Sequence, residues 1–135
     1  MSSVVIFDTS VIVEQLRSGR HQQRIDSVNG LIRTSSVVLA ELWRGATRRD
    51  EREFLRALQK NHPILAPGAG SWIESGELLG KMHVDKGLSP GKLRDLQFDV
   101  LIALTARSYG ARLITSNRND FELIRQYRKF QLEVW

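Results

Sequence analysis

Short strands that are apolar on both faces, alternating with helix-patterned segments, predict an α/β protein: a three-layer α/β/α sandwich around a central, mostly parallel sheet of four or five strands. Three observations carry this. Val4-Val5-Ile6-Phe7 and Arg112-Leu113-Ile114-Thr115 are runs too short for helices and too continuously apolar for half-solvated strands. Asp8-Thr9-Ser10 follows the first run and Asp120 comes soon after the second, both suited to start helices. Leu93 to Ser108 is apolar nearly all round, the mark of a helix buried in the centre of a fold.

In chain order, Val4 to Phe7 is the first strand and leads into a helix from about Val11. Gln22 to Asn29 is a short helix and Leu31 to Thr34 the second strand. Ser35-Ser36 caps a third helix that Gly45 weakens or ends. Phe54, Leu55 and Leu58 fall at helical spacing among charges, so Asp50 to Lys60 is an amphipathic surface helix, and Ile64-Leu65 a brief third strand. Pro67-Gly68-Ala69-Gly70 is a turn, Ser71 to Lys86 a helix weakened by Gly76 and Gly80, and Pro90-Gly91 another break. Gly110 suits the C-terminal end of the central helix. Arg112 to Thr115 is the fourth strand, Asp120 to Arg125 a short helix, and Phe130 to Trp135 the last strand.

The chain of 135 residues, 41% hydrophobic, fits one domain over residues 1–135. It has no apolar stretch of about 18 residues and no basic-then-apolar leader, which predicts a soluble, cytoplasmic protein with no membrane partner. The absence of cysteine excludes disulfides, thiolate zinc sites and cysteine nucleophiles. His21, His62 and His83 are scattered without metal-site spacing and read as surface or loop residues. No Gly-rich phosphate loop is present, since Pro67-Gly68-Ala69-Gly70 lacks a lysine and the strand-loop-helix context.

Four acids interrupt this pattern. Asp8 closes an apolar strand, Glu41 lies inside Val37-Val38-Leu39-Ala40-Glu41-Leu42-Trp43, Asp99 opens Val100-Leu101-Ile102-Ala103-Leu104, and Asp120 follows the fourth strand. Carboxylates are seldom buried without a partner, and several together are tolerable around a cation. Asp8 and the loop from Thr115 to Asp120 fall at the carboxyl ends of strands, where open parallel sheets bind ligands. Each acid also has a plain reading. Asp8 and Asp120 are good N-caps, and Glu41 can pair with Arg44 or Arg48. Asp95, one turn before Asp99, reads first as an exposed first-turn acid and second as an additional metal ligand.

The net charge is +5; setting the four acids aside leaves 20 Lys and Arg against 15 less 4, or 11, acids, a balance of +9. A basic exterior around an acidic pocket suits a polyanion held by metal, although such a charge also serves solubility. Arg44, Arg48 and Arg49 are candidate contacts to a nucleic-acid backbone, with a solvated helix face as the bland alternative. Trp43 reads either as a base-stacking platform or as core.

The stretches Val5-Ile6-Phe7-Asp8-Thr9-Ser10, Ser36-Val37-Val38-Leu39-Ala40-Glu41-Leu42-Trp43-Arg44-Gly45, Phe98-Asp99-Val100-Leu101-Ile102-Ala103-Leu104-Thr105-Ala106 and Thr115-Ser116-Asn117-Arg118-Asn119-Asp120-Phe121 resemble, in order, the four acidic motifs of the PIN-domain nucleases. The length without appended domains is most similar to the VapC-type toxins of toxin–antitoxin pairs. The resemblance implies a PIN-like fold and a metal-dependent endoribonuclease, with a small antitoxin as partner and a homodimeric state. Asp8, Glu41, Asp99 and Asp120 would be the catalytic acids around Mg2+ or Mn2+. Asp8 and Asp99 would be direct ligands, Glu41 would orient or deprotonate water, and Asp120 would bind a second ion or act through water. Thr9, Ser10, Thr115 and Asn117 would fix the carboxylate rotamers. The backbone contacted by Arg44, Arg48 and Arg49 would be that of RNA. Leu104 departs from the family pattern, where a small residue is expected. Two alternatives stand beside this: a non-catalytic PIN-like RNA-binding module, against which all four acids count, and a phosphotransfer domain, against which Ser10 counts because a phosphatase needs a second Asp there.

Overall fold

The computed structural model describes residues 3–135. The elements run β1 (Val4–Phe7), α1 (Thr9–Ser18), α2 (Gln22–Asp26), β2 (Leu31–Ser35), α3 (Ser36–Gly45), α4 (Arg49–Asn61), β3 (Ile64–Leu65), α5 (Ala69–Lys86), α6 (Pro90–Ser108), β4 (Arg112–Thr115), α7 (Arg118–Arg125) and β5 (Gln131–Val134). The expected α/β architecture is present as a single five-stranded sheet, every neighbouring pair parallel, in the order β3-β2-β1-β4-β5.

Register follows from the apolar runs. Val4 pairs with Leu31, Ile6 with Leu113, and Leu113 with Leu132, so β1 and β4 are buried between other strands. Because strand side chains alternate faces, Ile6 and Leu113 enter a large core with Val38, Leu55, Met82, Leu101 and Phe121. Val5 and Ile114 enter a smaller one with Val11, against which Phe7, Val28 and Trp135 pack. Ile6, Leu101, Leu113 and Phe121 are fully buried, each such side chain stabilising the fold by about 1.5–3 kcal/mol. Leu104 is a buried core residue.

Helix α6 spans the large core through Leu96 and Val100 to Ala106. Its start differs from the expected break. Pro90 is in the first turn, where a missing N–H costs nothing, and the Ser89 hydroxyl accepts from Lys92 N at 3.1 Å. At its end Gly110 has φ 62°, and Ala111 N donates to Ala106 O at 2.8 Å, so the chain turns directly into β4. His21 is also not where its isolation in sequence suggested. It is 1% exposed, with its ring 5.3 Å from that of Trp135 and Nε2 3.2 Å from Glu14 Oε1, because the C-terminal strand brings Trp135 over it. Among the described residues no helix is long and apolar enough to cross a membrane.

Candidate active site

The chain runs outward from β1 through β2 to β3, then returns to pair β4 against the other edge of β1. This reversal leaves a crevice beyond the carboxyl ends of β1 and β4, since the connections depart in opposite directions. Asp8 follows β1 directly. Its backbone N–H donates to Ile114 O at 2.8 Å, which continues the ladder one residue into the rim. Asp8 is in the N-cap position of α1, but its side chain makes no cap bond. The carboxylate turns inward instead, and Oδ2 accepts from Ser10 Oγ and from Thr115 Oγ1, each at 2.8 Å.

Thr115 ties the two strand ends together. Its hydroxyl lies 3.3 Å from Ser10 Oγ and accepts from Asn117 N at 2.9 Å, while Ser116 N donates to Ser10 Oγ at 3.0 Å. Helix α7 starts earlier than expected, and its N-cap is Asn117, whose side-chain oxygen accepts from Asp120 N. Asp120 therefore does not cap the helix. It is in the first turn, with Oδ2 accepting from Asn117 Nδ2 at 3.1 Å and Oδ1 from Lys92 Nζ at 2.8 Å.

Glu41 comes from α3, which Ser35 starts by accepting from Val37 N and Val38 N. Val38 and Leu42 on the core face leave Glu41 half-buried toward the crevice, and Thr9 Oγ1 donates to Glu41 Oε1 at 2.8 Å. Asp99 comes from α6, and no hydrogen-bond donor among the described residues reaches its carboxylate. Asp95 is exposed one turn earlier. It lines a cavity of about 380 Å³ with Glu41, Arg44, Arg94, Gln97 and Phe98, and the Arg44 guanidinium is 5.5 Å from the centre of the Phe98 ring.

The electrostatics show that the four main acids share one place. Burial pushes the Asp99 carboxyl up to about 8, and the charges of Asp8, Glu41 and Asp120 push the same way against Lys92. Asp8 is raised by burial against its two hydroxyl donors. Glu41 is raised by burial, against the Thr9 bond, with Asp8 adding to the rise. Burial acts on Asp120 too, but the Lys92 and Asn117 bonds outweigh it and hold its carboxyl low. Lys92 in turn is raised by its bond to Asp120.

A divalent ion is tested by the donors present. They are hard oxygens, the set that Mg2+ and Mn2+ prefer. Asp8 Oδ1 is buried and has no partner, an unusual state for a carboxylate oxygen. As the side chains stand, no group of three or more Asp, Glu or His residues among those described is arranged to hold an ion. Two of the four acids are drawn to Thr9 and Lys92. The residues fit an ion in chemistry and charge, and their carboxylates are not gathered around one point in this arrangement.

Other expected contacts divide. Arg44 borders the cavity that holds Glu41 and Asp95, whereas Arg48 and Arg49 belong to the start of α4, where they are exposed and paired with Asp50, Glu51 and Glu53. Trp43 is partly buried against the core and its Nε1 donates to Gln59, so it is structural. A concavity of about 560 Å³, larger than the one beside Glu41 and lined by Glu74, Arg107, Ala111, Lys129 and Gln131, is on the opposite rim and contains none of these acids. Chemistry marks the site here and size does not. Lys92 is the participant that sequence reading missed. Its signal was available: it precedes Asp99 by seven residues, two helical turns, on the same face.

Comparison with known proteins agrees with this geometry. Residues 5–127 match the family model of the PIN domain. Among solved structures, the chain is similar to one in the VapBC2 complex of Rickettsia felis bound to a promoter DNA fragment, with 25% identity, TM-score 0.73 and 98% of each chain covered. It is also similar in fold to a chain of DNA-bound VapBC from Salmonella typhimurium (21% identity, TM-score 0.70, 100% and 99% covered) and to one of a toxin–antitoxin complex from Klebsiella pneumoniae (19%, 0.63, 87% and 89%). No curated protein matches the chain.

Proposed function

The chain belongs to the PIN domain family, and on that basis we propose that it is a divalent-metal-dependent endoribonuclease, the toxin of a toxin–antitoxin pair. The observation that carries the nuclease reading is Asp8 Oδ1, a buried carboxylate oxygen with no partner, in a site where burial first and the charges of Asp8, Glu41 and Asp120 second raise the Asp99 carboxyl to about 8. Such an arrangement is costly unless a cation completes it. The similarity to a VapBC2 chain over nearly the whole length supports an antitoxin partner.

Asp8 and Asp99 would hold Mg2+ or Mn2+, with Glu41 beside them. When bound, such an ion lowers the pKa of a water and offsets charge on a phosphodiester. The rest falls to the chain. Ser10 and Thr115 fix the Asp8 rotamer through Oδ2 and so leave Oδ1 without a protein partner, available to an ion. Thr9 holds Glu41 through Oε1, which leaves Oε2 to take a proton from the attacking water. Arg44 and Arg94 border the cavity next to Glu41, where they would bind the phosphates of a single strand, and Arg44 is steadied by the Phe98 ring. Arg48 and Arg49, committed to acids of α4, contribute less.

Purified protein is expected to cut single-stranded RNA with Mn2+ or Mg2+ and not in EDTA, and Asp8→Asn is expected to lose at least about 100-fold in rate while keeping its circular dichroism spectrum. Equal cutting by this variant, or by the wild type in EDTA, refutes the reading. Co-purification with the product of a small adjacent reading frame tests the antitoxin, and light scattering tests the homodimer.

A further inference from the structure

Lys92 is a cation where a helix disfavours one. It is in the first turn of α6, where aligned peptide dipoles favour negative charge, and its backbone N–H is held by the Ser89 hydroxyl. Its ammonium nevertheless reaches Asp120 Oδ1 at 2.8 Å. Asn117 Nδ2 supplies the other oxygen at 3.1 Å. Both oxygens of Asp120 therefore have donors. The remaining acids are in a different state: Asp8 Oδ1 is buried without a partner, Asp99 has no donor among the described residues, and Glu41 has one hydroxyl. The crevice thus divides into one carboxylate bonded to an ammonium of the chain and three with no bonded cation among the described residues, Arg44 acting on Glu41 only through space.

Charge count points the same way. With all four ionised, as ligation of an ion requires, the four carboxylates and the Lys92 ammonium carry −3, and one divalent ion brings this to −1. A second divalent ion would make it +1 and would have to approach Asp120 beside an ammonium 2.8 Å from the oxygen it needs. We propose that Lys92 is the site's resident second cation: its ammonium holds Asp120 in the place of a second metal, so the site takes a single divalent ion among Asp8, Glu41 and Asp99. This rests on the metal-dependent reading above. Lys92 is a positioning residue in this role, since it acts on the ion count through Asp120.

Mn2+ is the probe, with stoichiometry read by calorimetry and by the loss of free-ion signal in electron paramagnetic resonance. Wild type and Lys92→Arg are expected to bind one Mn2+ per chain. Lys92→Met, folded by circular dichroism, is expected to bind two, and Lys92→Met with Asp120→Asn to return to one. Two ions in wild type, or one in Lys92→Met, overturn the lysine assignment and leave the metal-dependent reading intact. No ion in wild type overturns that reading and this proposal with it, and no ion in Lys92→Met alone overturns the lysine assignment. If Lys92→Met does not fold, Lys92→Gln takes its place with the same expected count of two.

Discussion

Asp99→Asn is expected to stabilise the protein in the absence of metal while abolishing its activity. The Asp99 carboxyl stands at about 8 in the fold against an ordinary value of 3.8, raised by burial and then by Asp8, Glu41 and Asp120. A raised folded-state value means that the folded chain binds the proton more tightly than the unfolded one. Stability from this group is therefore fully present below about pH 4 and is lost as pH rises toward 8. At about 1.36 kcal/mol per pKa unit, the shift corresponds to a ceiling of about 6 kcal/mol at and above pH 8. Water entry and rotation of neighbouring carboxylates relieve part of it, so the expected gain from Asp99→Asn is about 2–4 kcal/mol at pH 8 and about 1 kcal/mol at pH 5. Urea unfolding in EDTA, followed by circular dichroism at the two pH values, measures this. Added Mn2+ should narrow the gap by stabilising wild type alone. The exposed Asp95→Asn is the control and should change stability by less than about 0.5 kcal/mol. The reasoning fails if Asp99→Asn in EDTA is no more stable than wild type at pH 8, or if its advantage does not grow from pH 5 to pH 8.

Two further outcomes follow from the site. Thr115→Val removes the donor to Asp8 Oδ2 and the acceptor for Asn117 N, and should cost about 1–3 kcal/mol in denaturant unfolding and about 10- to 100-fold in cleavage rate; an unchanged rate would show that Asp8 needs no such support. Arg44→Ala should weaken RNA binding and lower the slope of log affinity against log salt by about 0.7, whereas Arg49→Ala, already paired with Glu53, should leave both nearly unchanged in the same fluorescence titration.

Much of the fold was legible because its signals are local. Val4 to Phe7 and Arg112 to Thr115 are strands in sequence and in structure, Ser35 caps where a serine should, and the apolar girth of α6 shows that it is covered on several sides. Errors fell where a local signal has two meanings. Pro90-Gly91 reads as a break, yet proline at a helix start costs nothing, so α6 begins there. Asp120 reads as a cap, but Asn117 three residues earlier takes that place and frees the acid for Lys92. His21 reads as a surface residue because nothing near it in sequence shows that Trp135 will cover it.

By itself the sequence determined which residues carry charge into apolar surroundings: Asp8, Glu41, Asp99 and Asp120, each named by the apolar residues beside it. Burial of a strand or helix is written in its own neighbours, so the expense of these acids was visible without coordinates. What each acid pairs with was decided only by tertiary structure. Hydrogen bonds and Coulomb forces act over a few ångströms of space, and the partners that matter, Thr115 for Asp8, Thr9 for Glu41 and Lys92 for Asp120, are 107, 32 and 28 residues away along the chain. The strand reversal between β1 and β4 brings the first of these pairs within reach, and that same reversal is what gathers the acids on one rim.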